Sequence, residues 1–318
     1  MTRQTLQPEY FPYLDYRRFA FSLGVIADSG IWMSGCTAVR HEADTNKMVV
    51  DGSLIEQAEI VFDKIRLCLD PARKGLGDIT RVVRYIRSDV LADVPALDAL
   101  QRSLLGPSVV STDIVVKRLL REHALLEVEA FVPGMHGFQH LPSVLGATGE
   151  DAERALGVAL RDGPTVLRQT QFVAPGDKAR ALTLPEGHAA IICPCLPNGG
   201  EGVQIETTIA RPGPSNVVFL SVTGDPALDG IGAQCRDAYE RLGRMLDAAG
   251  SSFEDVLKTT EFITPEALTS YRDTAQVRRD IFSEPFPAAT GVVCEGLTRP
   301  GSLIVVEAAA QVRPGAAG

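Results

Sequence analysis

The sequence repeats itself over a stretch too long for two unrelated amphipathic helices. Residues 70–86 (DPARKGLGDITRVVRYI) align without a gap with residues 247–263 (DAAGSSFEDVLKTTEFI), and the apolar pattern of the preceding helix extends the match back to residues 57 and 234. Units of solenoid proteins run roughly 20–50 residues, and this period is far longer. The repeat therefore predicts two copies of one whole domain.

Hydrophobic periodicity predicts the same order of elements in both copies. In the first, strands at 17–27 and 31–35 flank a turn, and a helix at 53–70 follows. A strand, a second helix and two closing strands complete the unit. The second copy repeats this, with a predicted hairpin of residues 202–210 and 216–224. We predict an α+β fold of two β-β-α-β-α-β-β domains, residues 1–132 and 201–318, joined by a connector, 133–200. The first copy carries an added loop at about 38–50.

The composition of the chain disfavours several classes of function and partner. The 318 residues are 45% hydrophobic and carry a formal net charge of −9, which disfavours nucleic acid as a partner. Neither a signal peptide nor a membrane span is recognisable. Six irregularly spaced cysteines are typical of reduced thiols, so a cytoplasmic location is expected. Without a GxGxxG motif after a strand, a P-loop or a set of metal ligands, we expect no cofactor and no metal.

Several motifs together resemble the Rid (YjgF) family, whose fold is similar to that of chorismate mutase. They are AAGSSFEDVLKTTEFI at 248–263, the Ser34-Gly35 pair after a strand, and the strands LLEVEAFV and LIVVEAAAQV. The resemblance implies trimers with sites in the clefts between subunits. It also implies hydrolysis of enamines and imines to ketoacids. A homotrimer of tandem chains, acting on a small-molecule carboxylate, is therefore expected.

The residues of the family site are only partly kept. The resemblance implies an Arg after a Pro-Ala pair to grip the carboxylate, a late-strand Glu to position water, and an aromatic on the first strand. In the second copy the Arg position is Ala289, and in the first copy residues 110–112 hold no Arg. Glu127 keeps the Glu position and Phe21 the aromatic one. The pocket is either a structural remnant or rebuilt for another substrate.

Three side chains are catalytic candidates. Glu127 could hold water or act as general acid–base, and its other interpretation is a solvated strand residue. Cys36 follows Ser34-Gly35, and Cys294 lies near the lost Arg position, so each could be a nucleophile or a small buried side chain. The substrate-binding candidates share positions near the family pocket or cationic character: Phe21, Trp32, Ser34, Gly35, Thr112, Arg118, Glu129 and Glu307. Arg121 is an alternative cation to Arg118, and a solvated face is the other interpretation of both.

Three functions remain open on the sequence. The first is a hydrolytic deaminase of an enamine or imine of a small carboxylic acid. Its substrate would resemble 2-aminomuconate, a product of aromatic ring cleavage. The second is a chorismatase-like lyase or hydrolase, and the third a non-catalytic small-molecule-binding protein. The sequence leaves open whether the pocket lies within one chain or between chains.

Overall fold

The structure is a computed structural model that describes residues 3–134, 137–160, 164–176, 188–211 and 217–313. In these ranges the strands form three large sheets, here called sheets I, II and III, and one small hairpin. None of the helices in the described ranges is both long and apolar enough to cross a membrane.

Sheet I is built from the first part of the chain. Its strands run in the order β1-β2-β3-β9-β7-β8, with β4 also paired to β9. The elements are β1 Gln4–Thr5, β2 Gly24–Ala27, β3 Gly30–Met33, β4 Cys36–Thr37, hairpin strands β5 Arg40–Glu42 and β6 Lys47–Val49, α1 Leu54–Leu69, β7 Arg81–Arg87, α2 Val94–Leu105, β8 Val110–Val116 and β9 Leu126–Pro133. The β5–β6 hairpin occupies the loop that the sequence predicts as an addition.

Helix α1 shows how local sequence sets these bounds. Ser53 and Glu56 form a reciprocal capping box at its first turn, which satisfies backbone N–H groups that lack a partner within the helix. Its apolar face, which includes Phe62 and Ile65, is fully buried against sheet I. Lys64 is buried on the same helix and reaches towards the end of sheet I.

Sheet II is built largely from residues that the sequence assigns to the connector. Its first elements are β10 Phe138–His140, β11 Val144–Gly146, α3 Gly149–Ala159, β12 Val166–Val173, β13 Ala189–Ile192 and β14 Val203–Ala210. Strand β14 pairs with β10, β11 and β12. The predicted hairpin of this strand with the following one is therefore wrong: its partners lie earlier in the chain.

Sheet III is built from the last part of the chain. Its elements are β15 Val217–Thr223, α4 Gly230–Ala248, β16 Val256–Ile263, α5 Arg272–Ile281, β17 Ala288–Val293, β18 Gly296–Leu297 and β19 Ile304–Gln311. The sheet order is β15-β19-β16-β17, whereas β18 pairs with β13 and joins sheet II. The middle strand, both neighbouring strands and the two helices follow the predicted order of the second copy.

The three sheets share one topology. In each, a middle strand (β7, β12 or β16) pairs parallel with the strand that follows it and antiparallel with the closing strand. A long helix precedes each middle strand. Sheet II is thus a third version of the same pattern within one chain.

Register defines the equivalent positions of the three sheets. Val83 pairs with Glu129, Thr170 with Glu206 and Thr260 with Glu307. Two residues earlier on each closing strand, the same register makes Glu127, Gln204 and Val305 equivalent to one another. Glu129, Glu206 and Glu307 are therefore equivalent positions on the three closing strands.

Ion pairs connect the sheets in a closed cycle. Arg81 of sheet I pairs with Glu206 of sheet II. Arg168 of sheet II pairs with Glu307 of sheet III at 2.6 Å. Lys258 of sheet III pairs with Glu129 of sheet I at 3.3 Å. The three cations are equivalent by register, so the sheets enclose a common centre with approximate threefold symmetry. We call these six side chains the axial ring.

Aromatic side chains lie beside the axial ring. On one side of the ring, Trp32, His140 and Phe219 occupy equivalent positions in the three sheets and approach each other, with ring centroids 6.0–6.5 Å apart. On the other side Phe262 lies 6.5 Å from Tyr85 and 6.0 Å from Phe172. These layers leave a central cavity of only about 50 Å³. The centre is therefore a packed core with a polar layer.

Candidate functional site

Each pair of neighbouring sheets meets in a cleft, and the cleft between sheets I and III contains the Ser34-Gly35 pair. Ala289 N donates a hydrogen bond to Ser34 Oγ at 2.8 Å. Gly35 N donates to Thr290 Oγ1 at 2.8 Å and to Ala289 O at 3.2 Å. The family's Arg position thus lies directly against the Ser34-Gly35 pair. We call this region cleft I/III.

Cleft I/III holds a cavity of about 730 Å³ with walls from both sheets. Its floor includes Gly35, Cys36 and Glu127 of sheet I, and Ala289 and Thr290 of sheet III. All of these residues belong to one chain. The structure therefore forms the cavity without a second copy.

The Glu127 carboxyl lies against Gly35 in this floor. A Cβ atom at residue 35 would fall 2.1 Å from Glu127 Oε1, so only glycine leaves room for the carboxyl there. Glu127 is 6% exposed. Burial and the neighbouring Glu129 raise its pKa to about 8, whereas Lys258 and Arg121 act in the opposite direction. At neutral pH the carboxyl is therefore mostly protonated and can donate a proton.

The Lys258 ammonium is buried next to the cavity floor and hydrogen-bonds to one of its residues, Thr290. It donates to Met33 O at 2.8 Å and to Thr290 Oγ1 at 2.5 Å, and it pairs with Glu129. Burial acts most strongly, to raise the pKa of Glu129, but Lys258, the Thr290 hydroxyl and Arg81 together outweigh it, and the net shift of the pKa is downward. Of the two carboxyls, Glu129 is thus held ionised and Glu127 protonated. This separation of pKa values is typical of a catalytic acid beside a structural ion pair.

Five cationic side chains line the cavity, and they differ in what they already bind. Lys64 Nζ donates to Thr37 O at 2.8 Å and to Val39 O, and Arg278 pairs with Glu261. The remaining three form no ion pair with any residue in the described ranges: Arg121, Arg272 and Arg279. Arg121 is exposed and close enough to Glu127 to lower its pKa. Arg121 is therefore the available cation nearest to the acid.

Several predicted site residues meet in cleft I/III. Phe21, Gly35 and Cys36 line the cavity together with Glu127, and Ser34 holds its edge. The Gly35 N–H is already donated within the protein, so its contribution is the missing side chain. Burial raises the pKa of the Cys36 thiol to about 11, which leaves it protonated at neutral pH. Cys36 is thus a wall residue rather than an activated nucleophile.

The other predicted residues lie elsewhere. Cys294 is buried outside the cavity, donates to Ile263 O, and burial raises its pKa to about 12. Trp32 packs at the centre beside the axial ring, to which Glu129 and Glu307 belong. Thr112 is buried in the cleft between sheets I and II, where it is equivalent to Thr290. Arg118 does not line the cavity, although Arg121, three residues later, does.

Among the residues that the structure describes, the other two clefts lack this arrangement. Between sheets I and II, Gln204 takes the position of Glu127, and its amide donates to Asp113 O at 3.0 Å and to Ser143 Oγ at 3.1 Å. Between sheets II and III the position is Val305, which belongs to the apolar core. His188 occupies the Arg position of sheet II and accepts from Gln169 N at 2.9 Å. Among the described residues, no group of three or more His, Cys, Asp or Glu could hold a metal ion.

One residue and one segment of the site gave little signal in the sequence. Lys258 sits in a strand that is buried throughout, where a lysine is unexpected. Its alignment with Arg81 was the available clue, because two basic residues at matched strand positions suggest a shared partner. The aromatic segment before Phe21 has no helical or strand period, so only the fold shows that it reaches the cavity.

Comparison with known proteins supports the family. The family model described as Endoribonuclease L-PSP matches residues 216–312. A crystal structure of Rv2704 from Mycobacterium tuberculosis, titled as a YjgF/YER057c/UK114 family member, is 32% identical over 32% of this chain and 83% of its own, with a TM-score of 0.29. RidA from an Antarctic Psychrobacter species is 26% identical over 31% of this chain and 84% of its own, with a TM-score of 0.29.

A more distant solved structure is yeast Mmf1. It is 21% identical over 42% of this chain and 99% of its own, with a TM-score of 0.34. Each of these relatives covers less than half of this chain. The chain belongs to the YjgF/YER057c/UK114 family, also called the Rid family.

Proposed function

We propose that the protein is a hydrolytic deaminase that acts in cleft I/III on an enamine or imine of a carboxylic acid. The observation that carries the proposal is the Glu127 carboxyl, buried beside Gly35 with its pKa raised to about 8. Membership of a family that includes enamine and imine deaminases agrees with it. An acid that is protonated at neutral pH is what enamine hydrolysis requires.

The reaction follows from the chemistry of this carboxyl. Protonated Glu127 gives its proton to the nucleophilic carbon of the enamine, which becomes an iminium ion. The Glu127 carboxylate then takes a proton from water as the water oxygen bonds to the iminium carbon. The carbinolamine collapses to a ketone and ammonia, and the released ammonia takes a proton from the solvent to become ammonium. The enzyme ends with its carboxyl protonated again.

Arg121 is the proposed partner of the substrate carboxylate. A guanidinium can bind a carboxylate with two parallel hydrogen bonds and so fix its orientation. Arg121 thereby takes the role that Ala289 cannot fill. Substitution of Arg121 by Gln should raise KM more than it lowers kcat. Arg118→Gln is the matched control, because Arg118 lies in the same loop outside the cavity lining.

The setting of the enzyme is part of the same proposal. A 2-aminomuconate-like product of aromatic degradation is one candidate substrate. A cytoplasmic location is part of this proposal, and six free cysteines, which suit a reducing compartment, support it. A homotrimer of chains stays a prediction, as do the domain bounds at 132 and 201.

The test is ammonia release. Wild-type protein is given 2-aminoacrylate, 2-aminomuconate and imines made in situ from L-amino acids by an L-amino-acid oxidase. Glu127→Gln should lower kcat/KM by about 100- to 10,000-fold. The control Glu122→Gln, an exposed residue of the preceding loop, should behave as wild type. Full activity in Glu127→Gln, or no ammonia from any substrate, would overturn the proposal.

A chorismatase-like activity is the second candidate. A protonated carboxyl beside a largely apolar cavity could also protonate an enol ether, after which water addition would release pyruvate. The volume of about 730 Å³ would admit such a substrate. Pyruvate release from chorismate without ammonia release from the imines would favour this alternative. If both assays are silent while a carboxylate raises the melting temperature, the protein is a binding protein.

A further inference from the structure

The outer wall of cleft I/III comes from two segments of sheet I that have no counterpart among the described residues of sheets II and III. One is the N-terminal stretch before β2, which contributes Phe11, Leu14, Phe19 and Phe21. The other is the β5–β6 hairpin, which contributes Met48. In sheet III only residues 224–229 separate β15 from α4, and in sheet II only residues 147–148 separate β11 from α3. Neither interval has room for such a hairpin.

This wall is apolar and partly open. Phe11, Phe19 and Phe21 are all half-buried, and Met48 is 37% exposed. Phe19 and Phe21 stack with their rings 5.4 Å apart and 18° from parallel, which presents a flat aromatic surface. Contiguous half-exposed aromatic side chains around a concave site indicate a ligand that covers them.

The size of the cavity excludes a close fit to the smallest substrates. A volume of about 730 Å³ lies within the roughly 300–1,000 Å³ typical of pockets that enclose drug-sized molecules. A three-carbon enamine would contact Glu127 and Arg121 but leave the aromatic wall uncovered. A substrate contacts both the aromatic wall and the Glu127 carboxyl only if it is long enough to extend from one to the other.

The cations of the cavity define the other end of the ligand. Arg121 belongs to the loop after β8, and Arg272 and Arg279 belong to α5. None of the three has an ion-pair partner among the described residues. The cavity thus combines three available guanidinium groups with an aromatic wall. This combination complements an amphiphilic anion.

We propose that the substrate of cleft I/III is a carboxylate whose reacting carbon carries a ring-sized apolar group, which packs on Phe19 and Phe21. The part of this inference that concerns the reaction rests on the proposed function, whereas the part that concerns binding of the ligand does not. It assigns specificity to the N-terminal segment and the β5–β6 hairpin. Phe19 is the residue to which we assign this specificity first, because its ring lines the cavity and stacks on the ring of Phe21.

The test compares two imines made by the same oxidase, one from L-phenylalanine and one from L-alanine. Wild-type kcat/KM should be at least about tenfold higher for the phenyl-bearing imine. Phe19→Ala should lower this phenyl-to-methyl ratio by about tenfold or more. Phe19→Leu keeps an apolar side chain for packing and should show the same direction. Leu145→Ala, at a half-exposed site of sheet II away from the cavity, should keep the wild-type ratio.

A binding measurement separates failure of this inference from failure of the proposed function. Phenylpyruvate and pyruvate, the two ketoacid products, are titrated into wild type and Phe19→Leu by calorimetry. If neither imine is hydrolysed but phenylpyruvate binds wild type at least tenfold more tightly than pyruvate, and Phe19→Leu loses this preference, the inference stands without the reaction. Equal affinity for the two ketoacids, or an unchanged preference in Phe19→Leu, overturns it.

Discussion

The clefts on the two sides of sheet I differ at equivalent positions: one has a side chain that joins the two sheets, and the other has a side chain that faces a cavity. Between sheets I and II, the Gln204 amide donates to Asp113 O and Ser143 Oγ and holds the two sheets together. In cleft I/III the equivalent residue is Glu127, and the equivalent of Ser143 is Gly35. Within the described residues the Glu127 carboxyl has no hydrogen-bond donor, and it faces a cavity.

This difference separates the positions that recur in all three sheets from the positions that differ at the candidate site. The axial ring, the middle strands and the long helices recur in all three sheets, because they hold the sheets around one centre. A change of amide to acid, and the loss of one side chain beside it, create a reactive group at one cleft. The same changes leave a buried carboxyl, which costs stability when it ionises.

The largest effect that tests this comparison is the pH dependence of stability in Glu127→Gln. Because the native pKa of Glu127 is about 8 and its ordinary value is 4.5, the folded state binds the proton more tightly. Stability is therefore lost as pH rises from 4.5 to 8. At pH 9 Glu127→Gln should be more stable than wild type by up to about 5 kcal/mol, at about 1.4 kcal/mol per pKa unit. Urea unfolding at pH 5 and pH 9 measures this.

The matched control is Glu122→Gln, which replaces an exposed carboxylate and should change stability equally little at both pH values. If Glu127→Gln instead has the same stability difference from wild type at pH 5 and pH 9, the carboxyl is not protonated in the native protein.

The second effect concerns the glycine. Gly35→Ala would place a Cβ 2.1 Å from Glu127 Oε1 and 2.7 Å from Thr290 Cγ2, so the carboxyl must move. A displacement of about 1 Å can cost about 100-fold in rate, and we expect kcat/KM to fall by that amount. Gly77→Ala is the control, since a Cβ there meets nothing within 4 Å. Near-wild-type activity in Gly35→Ala would show that the close approach has no catalytic role.

The smallest effect concerns the other cleft. Gln204→Glu copies the acid into the cleft between sheets I and II, but a carboxylate cannot donate to Asp113 O. We expect a loss of about 1–3 kcal/mol in unfolding free energy, and no gain in ammonia release. Gln204→Met, which lacks the donor but carries no charge, separates the lost hydrogen bond from the buried charge. Activity that persists in a Gln204→Glu, Glu127→Gln double variant would mean that the clefts are interchangeable.

Much of sheets I and III could be predicted, because their apolar periodicity and their match to each other are strong. Sheet II could not, since only scattered positions of the pattern survive in it. Its clues are short: RQTQF at 168–172 parallels RVVRY at 81–85 and KTTEF at 258–262, and Glu206 parallels Glu129. Each keeps a basic residue and an aromatic four positions later. Two shared positions among five are too few to stand out before the sheets are seen.

The site was predicted in part for a similar reason. Glu127, Gly35 and Phe21 follow from motif positions, because a late strand and a Ser-Gly turn keep their places in the fold. The raised pKa of Glu127 depends on burial by sheet III, and the aromatic wall depends on where an irregular segment lies. Cys294 is close to the lost Arg position along the strand but points into the core, since alternate strand residues face opposite sides.

The pH dependence of kcat/KM tests the central claim most directly, because this quantity reports the pKa values of the free enzyme. It is measured from pH 5 to pH 10 with the imine that wild type hydrolyses fastest, after subtraction of the spontaneous rate. The account predicts a decline with a midpoint near pH 8, as Glu127 loses its proton, and no such midpoint in the residual rate of Glu127→Gln. A rate that is level from pH 6 to pH 10, or a midpoint that survives in Glu127→Gln, would contradict it.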